Sequence, residues 1–263
     1  MTETGDIEVE DARLFYSIDG PQHAPVVVFS NSLGTDLRMW EPQMPAFIER
    51  FRVLRYDSRG HGRSSASAGT FTLDQLGHDM LALLDAQAIE HAHICGLSLG
   101  GMVALWIAAN HPERVDRAVF ANTAARIGTD ASWAARIEAV SAGGMSAIRD
   151  AVVARFLSER FRGAHPDVTT QVGEMVAATP PMGYIATCIA LRDADLRVDV
   201  ARIAVPSLII ASALDESTPP AQARELHAAI AGSELVMFAD TAHLSNLEQP
   251  ELFTRHVLDF LTR

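Results

Sequence analysis

A chain of 263 residues that is 48% hydrophobic and 21% charged fits one large globular domain, or a core with an insertion, and excludes gross disorder. Its formal charge of −12 opposes nucleic-acid binding, which needs clustered Lys and Arg. No apolar run is long enough to span a membrane, and the two cysteines, Cys95 and Cys188, make no disulfide framework.

The start, Met1–Asp6, is acidic and lacks the basic and apolar regions of a secretory signal, so a cytoplasmic location is expected. Strand-like runs follow at Ala12–Ile18, Val26–Ser30, Arg52–Tyr56 and His91–Cys95, then at Arg117–Ala121, Ser207–Ala211 and Glu234–Phe238. Helical patterns separate most of them, at Leu73–Ala88, Gly101–His111, Ala221–Ala231 and Pro250–Leu261. This alternation predicts an α/β fold with a mostly parallel central sheet flanked by helices. Residues 124–200 break the rhythm: they are helical, rich in Ala, Arg and Met, and interrupted at Gly143-Gly144, Gly163, Pro166 and Pro180-Pro181. They are expected to form a helical cap, inserted before the strand at Ser207, over a core of residues 1–123 and 201–263.

Gly96-Leu97-Ser98-Leu99-Gly100 connects a strand to an apolar helix. In that context a Gly-x-Ser-x-Gly turn strains the serine backbone and presents its hydroxyl as a nucleophile. Outside it, Ser98 would be an ordinary helix-capping serine. A serine needs a base, and the base needs an orienting acid, in the chain order Ser, acid, His. Of ten histidines, His23, His61, His78, His91 and His93 precede Ser98. His111 ends the elbow helix, while His165, His227 and His256 fall in helical patterns. His243 remains, on a loop after the strand Leu235–Phe238. Asp215 directly follows the apolar run Pro206–Ser212, at a strand's carboxyl end where catalytic groups gather. Glu216 and Asp240 are its rivals. Two backbone N–H groups should receive a developing oxyanion. One is Leu99, after the nucleophile, and the other is Leu33, in the turn Asn31-Ser32-Leu33-Gly34 that follows Val26–Phe29. The histidines are scattered, so no metal is expected.

With these residues in place, the chain resembles the α/β-hydrolase superfamily over nearly its whole length. Asp57-Ser58-Arg59-Gly60-His61-Gly62-Arg63-Ser64 is similar to a structural loop common there, which makes Asp57 and His61 packing residues. A narrower resemblance is to the 3-oxoadipate enol-lactonase family. It rests on Ser30–Leu37 with Met39-Trp40, and on Asn122–Gly128 leading to Trp133 and Arg136. Many relatives carry His-Gly where this chain has Asn31-Ser32.

The resemblance implies hydrolysis of an anionic enol-lactone to 3-oxoadipate in aromatic-compound degradation, without a cofactor, by Ser98, His243 and Asp215. The substrate carboxylate would need a cation. Arg126 and Arg136 come first, and Arg38, Arg59 and Arg192 behind them, with Trp40 and Trp133 as candidate pocket walls. A general carboxylesterase, a cofactor-free perhydrolase with haloperoxidase activity and a non-enzymatic ligand receptor are the competing readings. A dehalogenase or epoxide hydrolase is disfavoured because those relatives carry aspartate where this chain has Ser98. A homo-oligomer is compatible with the chain.

Overall fold

A computed structural model describes residues 2–66 and 69–263, so Met1 of the acidic start lies outside them. Eight strands form one sheet: β1 (Glu3–Val9), β2 (Ala12–Asp19), β3 (Val26–Ser30), β4 (Arg52–Tyr56), β5 (Ala92–Leu97), β6 (Val115–Ala121), β7 (Ser207–Ser212) and β8 (Glu234–Phe238). Their spatial order is β1-β2-β4-β3-β5-β6-β7-β8. β1 pairs antiparallel with β2, and β2 with β4; every other neighbouring pair is parallel. Val27, Val28 and Phe29 of β3 are wholly buried, and every residue of β5 and β7 is buried. Continuous apolar runs of this kind suit parallel strands covered on both faces.

β1 was not legible as a strand. Its acidic sequence buries no residue fully; Gly5, Ile7 and Val9 are half-buried and alternate with exposed residues. What holds it is the antiparallel register with β2, which sets Ile7 opposite Leu14. An edge strand of this kind owes its form to its partner more than to its own composition.

The helices are α1 (Met44–Phe47), α2 (Leu73–Ala86), α3 (Leu99–Asn110), α4 (Asp130–Gly143), α5 (Arg149–Phe156), α6 (Glu159–Ala164), α7 (Pro166–Ala178), α8 (Pro181–Asp193), α9 (Pro220–Ala229), α10 (Ser245–Glu248) and α11 (Pro250–Leu261). α3 is apolar all round and every residue from Leu99 to Ala108 is buried, which marks the central helix of the core. α11 instead buries one stripe, Phe253, Val257, Phe260 and Leu261, spaced for a single helical face. Burial of each such side chain stabilises the fold by about 1.5–3 kcal/mol. α9 begins at Pro220 after Pro219, which has no side chain to cap it, and the nearby Thr218 hydroxyl donates to Asp215. Helices α4 to α8 all fall between β6 and β7, in the interval where the strand alternation fails. No described helix is long and apolar enough to cross a membrane.

Candidate active site

Five loops leave the carboxyl ends of β3, β5, β6, β7 and β8 on one edge of the sheet. They carry Leu33, Ser98, Asn122, Asp215 and His243 respectively. Ser98 has φ 59° and ψ −113°, the strained turn that the motif requires. The flanking glycines have steric reasons. A Cβ at Gly96 would lie 2.0 Å from the Gly100 carbonyl oxygen, and one at Gly100 would lie 2.1 Å from that of Ser30. Either contact would push the elbow open. The Ser98 N–H donates to the Ala121 carbonyl at 3.0 Å, and the Thr123 hydroxyl donates to the Ser98 carbonyl at 2.7 Å. Strain at one residue is thus held by bonds to the next strand.

Asp215 gathers five donors. Its Oδ2 accepts from His243 Nδ1 at 2.8 Å, Thr218 Oγ1 at 2.8 Å and Asn122 Nδ2 at 2.9 Å. Its Oδ1 accepts the backbone N–H groups of Ser217 at 2.8 Å and Thr218 at 3.0 Å. Burial alone would raise its pKa, but the charge and hydrogen bond of His243, the Thr218 amide and Asn122 together hold the carboxyl below its ordinary range. The rivals Glu216 and Asp240 make no such contact; His243 meets Asp215.

Sequence reasoning missed the part played by Asn122. It holds a left-handed conformation, φ 44°, that aims its amide at both Ser212 Oγ and Asp215, while its Oδ1 accepts from Ser245 Oγ at 2.6 Å. An asparagine at a strand end tolerates that conformation, and this was the only signal available. The His243 ring stacks on Phe156 of α5, with centroids 5.3 Å apart.

A cavity of about 400 Å³ joins Ser98, Leu33 and His243 of the sheet edge to Trp133, Arg136 and Arg155 of the helical insertion. Among the described residues no protein acceptor takes the Leu33 or Leu99 amide. The Asn31 carbonyl, two residues before Leu33, accepts the Gly100 N–H at 2.9 Å, which ties the two amide-bearing segments together.

The remaining candidates lie elsewhere. Trp40 is fully buried in the core, stacked on Phe29 at 4.5 Å, and its indole N–H donates to Asn31 Oδ1 at 2.9 Å. It supports the loop from behind and does not line the cavity. Arg126 faces a neighbouring cavity and pairs with Asp130 at 3.0 Å and Asp195 at 3.6 Å. Arg38 pairs with Asp36, Arg192 with Asp193, and buried Arg59 with Asp79. Charge balance has already claimed these four arginines. Arg136 packs its guanidinium 5.1 Å from the Trp133 ring centroid, and its Nη1 lies 3.5 Å from the Tyr184 hydroxyl. Arg155, which sequence reasoning did not single out, joins it on the cavity wall. Its exposed position on α5 looks like an ordinary solvated face, so nothing in the sequence marks it.

Comparison with known proteins agrees with the fold. The family model for the alpha/beta hydrolase fold matches residues 25–250. The chain is 42% identical to 3-oxoadipate enol-lactonase 1 of Acinetobacter baylyi over 96% of both chains. It is 38% identical to 3-oxoadipate enol-lactonase 2 of the same organism, over 95% of this chain and 94% of that one. The crystal structure of the enol-lactonase from Burkholderia xenovorans LB400 superposes with a TM-score of 0.97 at 43% identity, covering 98% of this chain and all of the other. Sheet order, elbow and full-length similarity place this chain in the α/β-hydrolase family.

Proposed function

We propose that this protein is a serine hydrolase that opens the ring of 3-oxoadipate enol-lactone. The observation that carries the reading is the placement of two arginines, Arg136 and Arg155, on the cavity that holds Ser98 and His243. A protein of charge −12 that concentrates cations at its reaction centre is built to receive an anion there. The names of its near-full-length relatives supply the particular lactone.

The proposed chemistry uses these residues in turn. Ser98 Oγ attacks the ring carbonyl carbon while His243 Nε2 takes its proton. The Asp215 carboxylate on Nδ1 fixes the tautomer and favours the imidazolium. The negative charge on the carbonyl oxygen falls between the Leu33 and Leu99 amides, and each such donor is worth about 3 kcal/mol of barrier. Collapse breaks the ring C–O bond, and the departing enol oxygen takes the proton from His243. The enol then tautomerises to the ketone, which makes acylation hard to reverse. Water, activated by His243, attacks the acyl-enzyme and releases the dicarboxylate. Residues 124–200 act as the cap that covers this reaction, over a core of residues 1–123 and 201–263. Substrate selection belongs to the cap, and bond-breaking to the core.

A hydrolysis panel tests the reading. Purified protein is offered the carboxylated enol-lactone, neutral lactones of similar ring size and p-nitrophenyl esters. The expected order of kcat/KM places the carboxylated lactone first. A preference for the neutral lactone would leave a general esterase as the better description.

A further inference from the structure

The loop that carries His243 is fastened to the helical insertion through one carboxylate. Glu248, at the end of α10, accepts the Ala242 N–H at 2.9 Å through Oε1. The same oxygen accepts the Ser158 N–H at 2.9 Å, and Oε2 accepts the Ser158 hydroxyl at 2.6 Å. Ala242 directly precedes His243, and Ser158 caps the first turn of α6. Two further contacts run in parallel. The Leu244 N–H donates to the Phe156 carbonyl at 2.9 Å, and the Phe156 ring stacks on the His243 imidazole. Residues 242 and 244 are therefore both tied to the short stretch 156–158. That stretch follows directly from the α5 wall, where Val152, Arg155 and Phe156 line the cavity.

We infer that Glu248 is a positioning residue for the base: it makes the placement of His243 depend on the placement of the insertion's inner wall. Asp215 fixes the imidazole from the core side through Nδ1. One hydrogen bond leaves the ring free to swing about it, so a second constraint must set where Nε2 points. Phe156 supplies that constraint as a flat face, and Glu248 holds the loop against it. A carboxylate suits the position, because three donors converge on it from two segments and a neutral side chain offers fewer acceptor sites. Filling the cavity presses on α5, and through this latch the same displacement reaches the base. Substrate fit and base alignment then become a single event, on the proposed reading of His243 as the base.

The test uses a small neutral aryl ester, p-nitrophenyl acetate, so that it does not depend on the lactone assignment. Glu248→Ala should lower kcat by about 100-fold, the scale of a base misplaced by roughly 1 Å, with KM little changed. The assay is run well below the melting temperature of each variant, with circular dichroism confirming the folded state. Glu248→Gln keeps an oxygen for the two amides while the Ser158 hydroxyl reverses its role, and it should restore most of the rate. Ser158→Ala combined with Glu248→Ala should be no slower than Glu248→Ala alone, because both act through one contact. Wild-type kcat in folded Glu248→Ala would overturn the inference, as would a loss matched by its unfolded fraction, or a change confined to KM. His243→Ala in the same assay separates the two ideas. If it is inactive while Glu248→Ala is normal, the latch alone falls. If His243→Ala keeps its rate, the base assignment falls first.

Discussion

Two Asp–His pairs occupy the sheet's carboxyl edge, and their residue types alone do not tell them apart. Asp57 and His61 follow β4; Asp215 and His243 follow β7 and β8. The second pair is joined by a 2.8 Å hydrogen bond, and its carboxylate collects five donors. The first pair is not joined. Asp57 spends its two oxygens on the backbone N–H groups of Leu37 and Arg63, each at 2.8 Å. His61 turns Nδ1 toward the Arg59 carbonyl at 3.2 Å and leaves Nε2 buried without a partner among the described residues. Electrostatics follows the donors. Burial pushes Asp57 up to about 6 and His61 down to about 4, so both are biased toward neutrality. Asp215 is buried to a similar degree, yet its carboxyl lies below the ordinary range. On the proposed mechanism, donors that favour charge distinguish the reactive pair from the structural one; burial and residue type do not.

The largest expected effect breaks the reactive pair. Ser98→Ala, Asp215→Asn and His243→Ala should each lower kcat by about three to six orders of magnitude, with folding intact. Steady-state rates and melting curves measured side by side check this. A near wild-type rate for Ser98→Ala would end the mechanism.

The arginines repeat the contrast, because Arg59 is committed to Asp79 while Arg136 and Arg155 face the cavity. Arg136→Ala and Arg155→Ala, tested separately, should raise KM for the anionic lactone by about 10- to 150-fold, the worth of a charge-assisted hydrogen bond. KM for a neutral aryl ester should barely move. Arg126→Ala should leave both unchanged, since that side chain is paired away from the cavity.

A smaller effect weakens the donor set without removing the acid. Asn122→Ala takes one donor from Asp215 and leaves the Ser245 hydroxyl without its acceptor. About tenfold in kcat is expected, since one net hydrogen bond is worth about 1 kcal/mol and one to a charged group more. Equal rates for wild type and variant would show that the remaining four donors suffice.

The structural pair should answer to pH and leave catalysis alone. His61 binds its proton near 6.5 when unfolded but only near 4 when folded. The unfolded chain therefore holds more protons between those values, and the stability from neutral His61, complete above about 6.5, is lost as pH falls toward 4. Asp57 acts in the opposite sense, losing stability as pH rises from 4 toward 6. His61→Gln removes only the first effect. Relative to wild type it should gain about 3 kcal/mol between pH 7 and pH 4 in urea unfolding, while kcat at pH 7 stays near wild type. A large loss of kcat with unchanged stability would mean that His61 takes part in the chemistry.

What could be read from the sequence divides along the same line. The parallel strands and their loops were visible because full burial demands continuous apolar runs, as in Val26–Ser30 and Ser207–Ser212. The elbow declared itself through glycines that no side chain can replace. β1 stayed hidden because only its pairing with β2 makes an acidic segment extended. Arg126 was a candidate because it lies in the expected cap, and only the fold shows it turned toward Asp130 and Asp195. Arg155, Asn122 and Glu248 owe their places to contacts across 90 residues or more, or to helix facing, and no local pattern encodes either.

The contact between Gly100 and the Ser30–Asn31 backbone also bears on heat. The Gly100 N–H grips the Asn31 carbonyl, and no atom can be added between the two segments. The gap between the Leu33 and Leu99 amides is therefore gauged when β3, β5 and α3 assemble, before any ligand arrives. If these amides receive the oxyanion as proposed, a receptor for charge that is cast with the core does not soften ahead of it. Wherever the insertion stays docked on the His243 loop, activity on warming should rise with the chemical step until the core itself melts, with no earlier loss traceable to the amide gap.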